Sequence, residues 1–391
     1  MRGELELGDV LLDIGVGVAK GAQEQAPADG EWGLLRLGAL RSQVFDSAQA
    51  KRMQAWNPAY EKLEVRELDV LMVRVNGAPA LVGATCVARG VRPRLVLSDL
   101  MYRLVPDERR VSPDFLGLAL SAEDVRRQIR TAMRGTSGQF QLPQAEVRSL
   151  RIPDVPLSQQ RRIVAVHAAF ERRIGALERE LGKLDHLRRG LRDSGVSGPL
   201  TQLGEVLTEK PKNGYSPSEV HEWTGLLALG LGCLTSEGFV PKQLKRVPDS
   251  PMARRFRLVD GDLLMSRANT RELVGLVGRY QDVGQSCIYP DLMMRLRPDE
   301  QRCLSAYLEM ALAASPARAA VQAEARGTSE SMVKISASVV EALRIPLPSL
   351  ERQREVVEAA GLFDNRIAKQ QAVVAELRTV QRGVCEDLLR G

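Results

Sequence analysis

The chain has 391 residues, 44% of them apolar and 27% charged, a composition of folded domains and not of a disordered tail. Its net charge of +6 permits a polyanionic partner without demanding one, and the excess sits in residues 151–200, which carry ten basic and six acidic side chains. No apolar run is long enough to span a bilayer, and the opening MRGELELGDVLLDIG lacks the uncharged core of a secretory signal; together these point to the cytoplasm.

Along the chain, LGDV (7–10) and GLLRLG (33–38) open a globular stretch. LDVLMVRVN (68–76), with Gly77 as its turn residue, and LVLSDLMYRLVP (95–106) have the alternation of strands. A helical stretch from Asp114 to Arg134 follows, then RGTS (134–137) and LRIP (150–153). Beyond Pro153 the chain enters a long helix, for which Ser158 is a candidate cap. Its apolar residues Phe170, Ile174, Leu177, Leu181, Leu184 and Leu191 step by four and three, with Arg188 in the skipped position. That spacing makes a narrow seam. Gly195, Gly198 and Pro199 end it.

Everything then recurs. LGEV lies at 203–206, GLLALG at 225–230, GDLLMSRAN at 261–269 and LVG at 273–275, matching LVG at 81–83. DLMMRLRPDE (291–300) repeats DLMYRLVPDE (99–108), RGTS returns at 326–329, and LRIP returns at 343–346. The offset is 192 or 193 for most pairs, with small drifts that loop insertions explain. Between them Leu304–Arg326 is helical, and after Pro346 a second seam runs Phe363, Ile367, Gln370, Val374, Leu377, Gln381, Val384 and Leu388, with Ser349 as its cap. About 34 helical residues, roughly 50 Å, are expected in each long helix. Two matched seams are expected to pair with each other; the alternative is that each helix packs on its own globular domain. The fold class is therefore α+β: two pseudo-symmetric globular domains, 1–153 and 197–346, joined by helical spacers, 154–196 and 347–391, in an antiparallel coiled coil.

Cys86, Cys233, Cys287, Cys303 and Cys385 are odd in number and form no CxxC pair, so buried free thiols are expected. His167, His186 and His221 lie away from them, which leaves no metal site and no cofactor to expect. There is no P-loop, GxSxG or HExxH, no NPPY-like methyltransferase motif, and no ExK beyond the matched Asp69 and Asp262. Catalytic residues are accordingly expected to be absent.

LRIP followed by a glutamine (Gln160, Gln353) and heptads, present twice with RGTS ahead of each, resembles the specificity subunit of type I restriction–modification systems over essentially the whole chain. The first copy departs from the family's IPLP with IPDVP, and its opening is only loosely family-like. The resemblance implies a non-catalytic reader of double-stranded DNA. In that family each globular domain reads one half of a bipartite, usually asymmetric sequence. The helices set the gap and carry two methyltransferase subunits, with restriction subunits completing the endonuclease. A recognition subunit of a type IIB-like enzyme, a coiled-coil scaffold without DNA, and a stand-alone enzyme of unrecognised type are the competing readings.

Base edges are read by Arg or Lys for guanine and Asn or Gln for adenine. The matched Arg74 and Arg267, with Asn76 and Asn269, sit at strand ends, where the plainer reading is a turn. Arg134, Thr136 and Ser137, with Arg326, Thr328 and Ser329, offer groups suited to phosphate, against a helix C-cap glycine. Lys212, Asn213, Tyr215 and Ser216 form a polar loop facing Lys20 of the first copy. Trp32, Trp223 and Phe239 read as core residues.

Overall fold

In a computed structural model the described residues are 3–18, 22–40, 44–54, 57–135, 138–329 and 332–390. The chain divides into two compact units, Met1–Ala176 with Val374–Gly391, and Leu177–Val373. Each unit therefore contains one globular portion and a part of each long helix.

The first portion is built on two sheets. One is antiparallel, in the order Leu11–Val16, Met101–Pro106, Val70–Val73 and Thr85–Val87. Val70–Val73 is buried at every position, which its unbroken apolar sequence requires of an inner strand covered on both faces. The other sheet runs Ala22–Gln23, Ala50–Met53, Gly33–Leu35 and Leu95–Val96. The second portion repeats the plan with Lys212–Asn213, Met293–Leu296, Leu263–Ser266 and Val277–Arg279, and then Leu244–Arg246, Leu227–Leu229 and Cys287–Ile288.

Each expected helical stretch is two helices. Pro113–Ser121 and Glu123–Ala132 are separated by Ala122, and Ser305–Ala313 and Ser315–Glu324 by Ala314; both alanines are extended, with ψ of 145° and 148°. The bend returns the second helix to the core, where Ile129 and Val321 are fully buried. This return explains the LVG repeat. A Cβ on Gly83 would lie 2.7 Å from the Ile129 side chain, and one on Gly275 2.3 Å from Val321, and both glycines have φ above 70°.

LRIP also gains a role. Arg151–Pro153 pairs antiparallel with Glu4–Glu6, and Arg344–Pro346 with Leu200–Gln202, so each globular portion is closed by joining its entry to its exit.

The long helices are Leu157–Gly195 and Leu350–Arg390, 39 and 41 residues, longer than the heptads alone suggest. Ser349 caps the second, accepting the Arg352 N–H at 3.3 Å. Ser158 does not cap the first; it lies inside the helix, and the Pro156 carbonyl accepts the N–H groups of Gln159 and Gln160. The helices pack together with opposite directions. In the first unit Gln381 donates to Glu171 at 2.7 Å, and Leu388 and Leu389 share an apolar cluster with Ile163. In the second, Gln370 donates to the Leu177 carbonyl at 3.1 Å and Arg366 pairs with Glu180 at 2.9 Å. Of the seam residues Ile174, Leu177, Leu184, Ile367 and Val374 are buried. Phe170, Leu181, Leu191, Phe363, Leu377, Val384 and Leu388 are half-buried, as a two-helix seam leaves its flanks wet.

Four cysteines are buried and Cys385 is half-buried; burial pushes the thiols of Cys86 and Cys303 up to about 12. Among the described residues no helix is long and apolar enough to cross a membrane, and no cluster of His, Cys, Asp and Glu has the makings of a metal site.

Candidate nucleic-acid interface

Two small ribbons collect six of the fifteen sequence-proposed residues, Asn76, Arg134, Asn269, Arg326, Thr328 and Ser329. In the first unit Val75–Asn76 pairs with Phe140–Gln141, and Arg134 bridges to Gln141. In the second, Ala268–Asn269 pairs with Met332–Lys334, which also pairs with Arg326–Ser329. In the second copy RGTS is thus a strand of a hairpin, and in the first Arg134 is bridged to Gln141; neither arginine ends a helix, since the preceding helices stop at Ala132 and Glu324. The hairpin needs its glycine, because a Cβ on Gly135 would meet the Gln139 carbonyl at 2.2 Å and one on Gly327 the Met332 carbonyl at 2.5 Å. Arg134 is 68% exposed and 2.6 Å from Glu146; Arg326 is 79% exposed with Glu324 at 3.7 Å, so Arg326 is the less restrained guanidinium. Thr136, Ser137 and Lys20 lie outside the described residues, as do the side chains of Thr328 and Ser329.

Arg74 and Arg267 are half-buried and turned onto the protein. Arg74 donates to the Asp99 carbonyl at 3.1 Å and lies over the Tyr102 ring, and Arg267 reaches the matched Asp291 carbonyl at 3.5 Å. Asn76 accepts the Ala78 N–H and Asn269 the Thr270 N–H, both at 2.9 Å, which is the work of a turn. The Asn and Arg are therefore spent on geometry in this state.

Lys212 and Asn213 form an edge strand against Arg295 and Met294. Tyr215 stacks on Phe256 with centroids 5.8 Å apart, and Ser216 bonds Asp291, the residue whose carbonyl receives Arg267. This brings Ser216 to the base of the second ribbon and leaves Lys212 on the far strand, paired with Glu209. The expected counterpart of Lys212 needs correction. Lys212 pairs with Arg295 where Gly15 pairs with Arg103, and Gly214, like Gly17, would clash through a Cβ with a crossing carbonyl. Loop insertions shift the local offset to 197, so Lys212 matches Gly15 and not Lys20.

Trp223 is not core. It is 53% exposed in the loop before Leu227–Leu229, where Leu226 takes the buried place. Phe239 is buried and Trp32 half-buried, packed with Tyr60 and Leu63. Asp69 and Asp262 belong to ion pairs inside the sheets: Asp69 with Arg103 at 2.9 Å, Asp262 with Arg295 at 3.2 Å. Burial pushes the Asp69 carboxyl upward, and the Arg66 amide and Arg103 pull it back.

One repeated basic pair escaped the sequence search. Lys51-Arg52 and Lys245-Arg246 occupy the same rungs, facing Leu34 and Gly33 in the first unit and Ala228 and Leu227 in the second. The offset of 194 was the available signal. The two pairs differ in their counter-charges. In the first unit Glu24 binds both Lys51 and Arg36, and Glu31 is 3.3 Å from Arg52. In the second, Lys245 has Glu219 at 3.6 Å and Arg246 donates to the His221 carbonyl, beside exposed Trp223. A basic strand with a neighbouring exposed aromatic suits phosphate and base contact.

No family model matches the sequence. The chain is 27% identical over 135 residues to the putative type I restriction enzyme MjaX specificity subunit of Methanocaldococcus jannaschii, a match covering 34% of this chain and 31% of that protein. The chain spans less than a third of the length of the curated relatives it matches. Its fold is similar over its whole length to the S subunit of the type I restriction–modification system of M. genitalium, with a TM-score of 0.53, 12% identity and 96% of that chain covered. It is also similar to a solved structure concerning complex assembly and conformational transition of the type I restriction–modification system, with a TM-score of 0.61, 20% identity and 97% of that chain covered.

Proposed function

We propose that this chain is the DNA specificity subunit of a type I restriction–modification complex. The globular portions 1–153 and 197–346 each read one half of a bipartite, asymmetric duplex target. The spacers 154–196 and 347–391 carry the methyltransferase subunits, which restriction subunits join. The chain itself performs no chemistry. The observation that carries this reading is the repeated plan: two portions, each closed by the same LRIP strand, each set on an antiparallel helix pair.

Two unlike readers on one spacer allow a target that is not a palindrome, because different side chains meet each half-site. The ribbons bearing Arg134 and Arg326, and the basic strands Lys51-Arg52 and Lys245-Arg246, supply the phosphate-seeking charge; the ribbon loops supply the base contacts. In this state Arg74, Arg267, Asn76 and Asn269 hold those loops in shape.

The test is to assemble the chain with its methyltransferase subunits and select from randomised duplexes. Enrichment of a two-part sequence with a fixed gap is expected, together with a steep salt dependence. Equal binding to all duplexes, or turnover by the purified chain alone, would overturn the reading.

A further inference from the structure

We propose that Arg188 is a positioning residue that latches the second globular portion to the helix pair, and that the first portion has no such latch. Arg188 stands at a seam position otherwise held by residues such as Leu184 and Leu191. Its side chain is only 11% exposed and reaches three carboxylates on three elements. Asp185 lies one turn back on the same helix at 2.5 Å, and Asp364 on the other long helix at 3.1 Å. The third is Glu237, at the turn between Leu234–Thr235 and Gly238–Phe239 in the globular portion.

That hairpin is firmly part of the portion. Leu234 and Phe239 are buried, and Phe239 packs edge-on against Tyr280 at 5.3 Å. Thr235 shapes the turn by accepting the Glu237 N–H and donating to the Gly238 carbonyl. A second tie lies further along the first long helix, where Asp193 accepts both the N–H and the hydroxyl of Ser315. Gln353 holds the portion to the start of the second long helix, and Asp193 to the end of the first. Arg188 adds a tie at a separate place, to the Glu237 hairpin, and its charge offsets three acids that would otherwise repel. Because Arg188 itself is buried, removing a carboxylate leaves its charge short of a partner away from water, which costs more than breaking an exposed pair.

The first unit has a different arrangement at the matched place. The counterpart of Arg188 is Gln381 and that of Asp364 is Glu171, and Gln381 donates to Glu171 at 2.7 Å. Among the described residues no side chain of the globular portion joins that pair. Its outer tie is an exposed ion pair, Arg390 with Asp124.

The inference rests on the specificity-subunit reading for its consequence, but not for its first test. In the full chain, Glu237→Gln removes one arm from a half-exposed site without disturbing the seam. Hydrogen exchange at residues 234–239 should rise at least tenfold, and Arg188→Met should do the same. Gln381→Met should leave the first portion's exchange unchanged. Unchanged protection at 234–239 in Glu237→Gln would overturn the latch whatever the chain binds. In the complex with methyltransferase subunits, duplexes whose two half-sites are separated by one base pair more or fewer should be accepted by Glu237→Gln and Arg188→Met. Arg188→Lys should lie between these and the parent. A gap preference as narrow as the parent's, in a Glu237→Gln complex that still selects both half-sites, would show the latch does not position the reader. Loss of all sequence selection in the parent complex would instead sink the specificity reading alone.

Discussion

Gln160 and Gln353 make the same three hydrogen bonds in the two units. Gln160 accepts the Ser112 N–H and donates to the carbonyls of Arg110 and Val155. Gln353 accepts the Leu304 N–H and donates to the carbonyls of Arg302 and Pro348. Each glutamine is almost wholly buried at the start of a long helix and holds the loop ahead of the first short helix. A buried carboxamide can do this because it offers one acceptor and two donors at once.

Replacing Gln353 with Leu strands one N–H and two carbonyls away from water, at roughly 1–3 kcal/mol for each group left unpaired. Gln353→Leu should lower the urea midpoint of the second unit clearly, and Gln160→Leu that of the first. Gln353→Glu should be destabilising at pH 7, since a carboxylate accepts but cannot donate, and should recover in part on acidification, as a carboxylic acid donates once where the carboxamide donates twice. Equal stability of Gln353→Leu and the parent by urea unfolding would contradict this account.

His167 gives the first unit a pH dependence of opposite sense. Burial holds its pKa below the ordinary 6.5, against a smaller upward pull from Glu171. Charged groups around the same cavities are Arg89, Asp114, Glu171 and Arg172, with Glu123, Arg378, Arg382 and Glu386, and the Cys385 thiol is pushed up by burial. A folded pKa below the unfolded one means the unfolded chain binds the proton more readily. The stability this provides is whole above pH 6.5 and is lost as pH falls through the folded value. The slope is at most about 1.4 kcal/mol per pH unit. His167→Leu should flatten the dependence of the first unit's unfolding midpoint between pH 7.5 and 5; an unchanged slope would remove His167 from consideration.

The two basic strands predict unequal responses to mutation. Lys245→Ala with Arg246→Ala should weaken duplex binding across all sequences and reduce the salt slope by about 0.9 per lost phosphate contact. Glu24→Gln should strengthen binding, because it releases Lys51 and Arg36 from their counter-charge. The measurement is binding to duplex DNA over a range of salt. A salt slope identical to the parent's in the double variant would take this strand out of the interface.

Much of the architecture was legible because it was written twice. The LVG, RGTS and LRIP repeats each mark a place where backbone geometry admits few residues: Gly83 and Gly275 under a returning helix, Gly135 and Gly327 in hairpins, Ile152 and Ile345 in closing strands. The helix seams were legible from spacing for the same reason. The bend at Ala122 was not, because alanine favours helix and the break is imposed by packing beyond it; the one at Ala314 has a signal in Pro316, which sits in the first turn of the returning helix and cannot continue the one before it. Arg74 and Asn76 looked like exposed recognition residues because sequence reports chemical type and not direction; the fold turns them onto Asp99 and Ala78. Lys51-Arg52 and Lys245-Arg246 are a two-residue match whose offset of 194 departs from that of the neighbouring repeats, so the strand register is what makes their equivalence plain.

The composition of the first unit has a consequence for how the chain is made. Its apolar cluster includes Leu388 and Leu389 beside Ile163 and Val147. A ribosome finishes the first globular portion and the first helix, then builds the entire second portion, before those leucines emerge. Until then the nascent first unit presents an unfilled apolar strip, whereas every residue of the second unit is available as soon as Val373 has been added. Assembly is thus completed in reverse of synthesis, and a transcript cut short just after Val373 would yield one finished unit and one still waiting for its last helical turns.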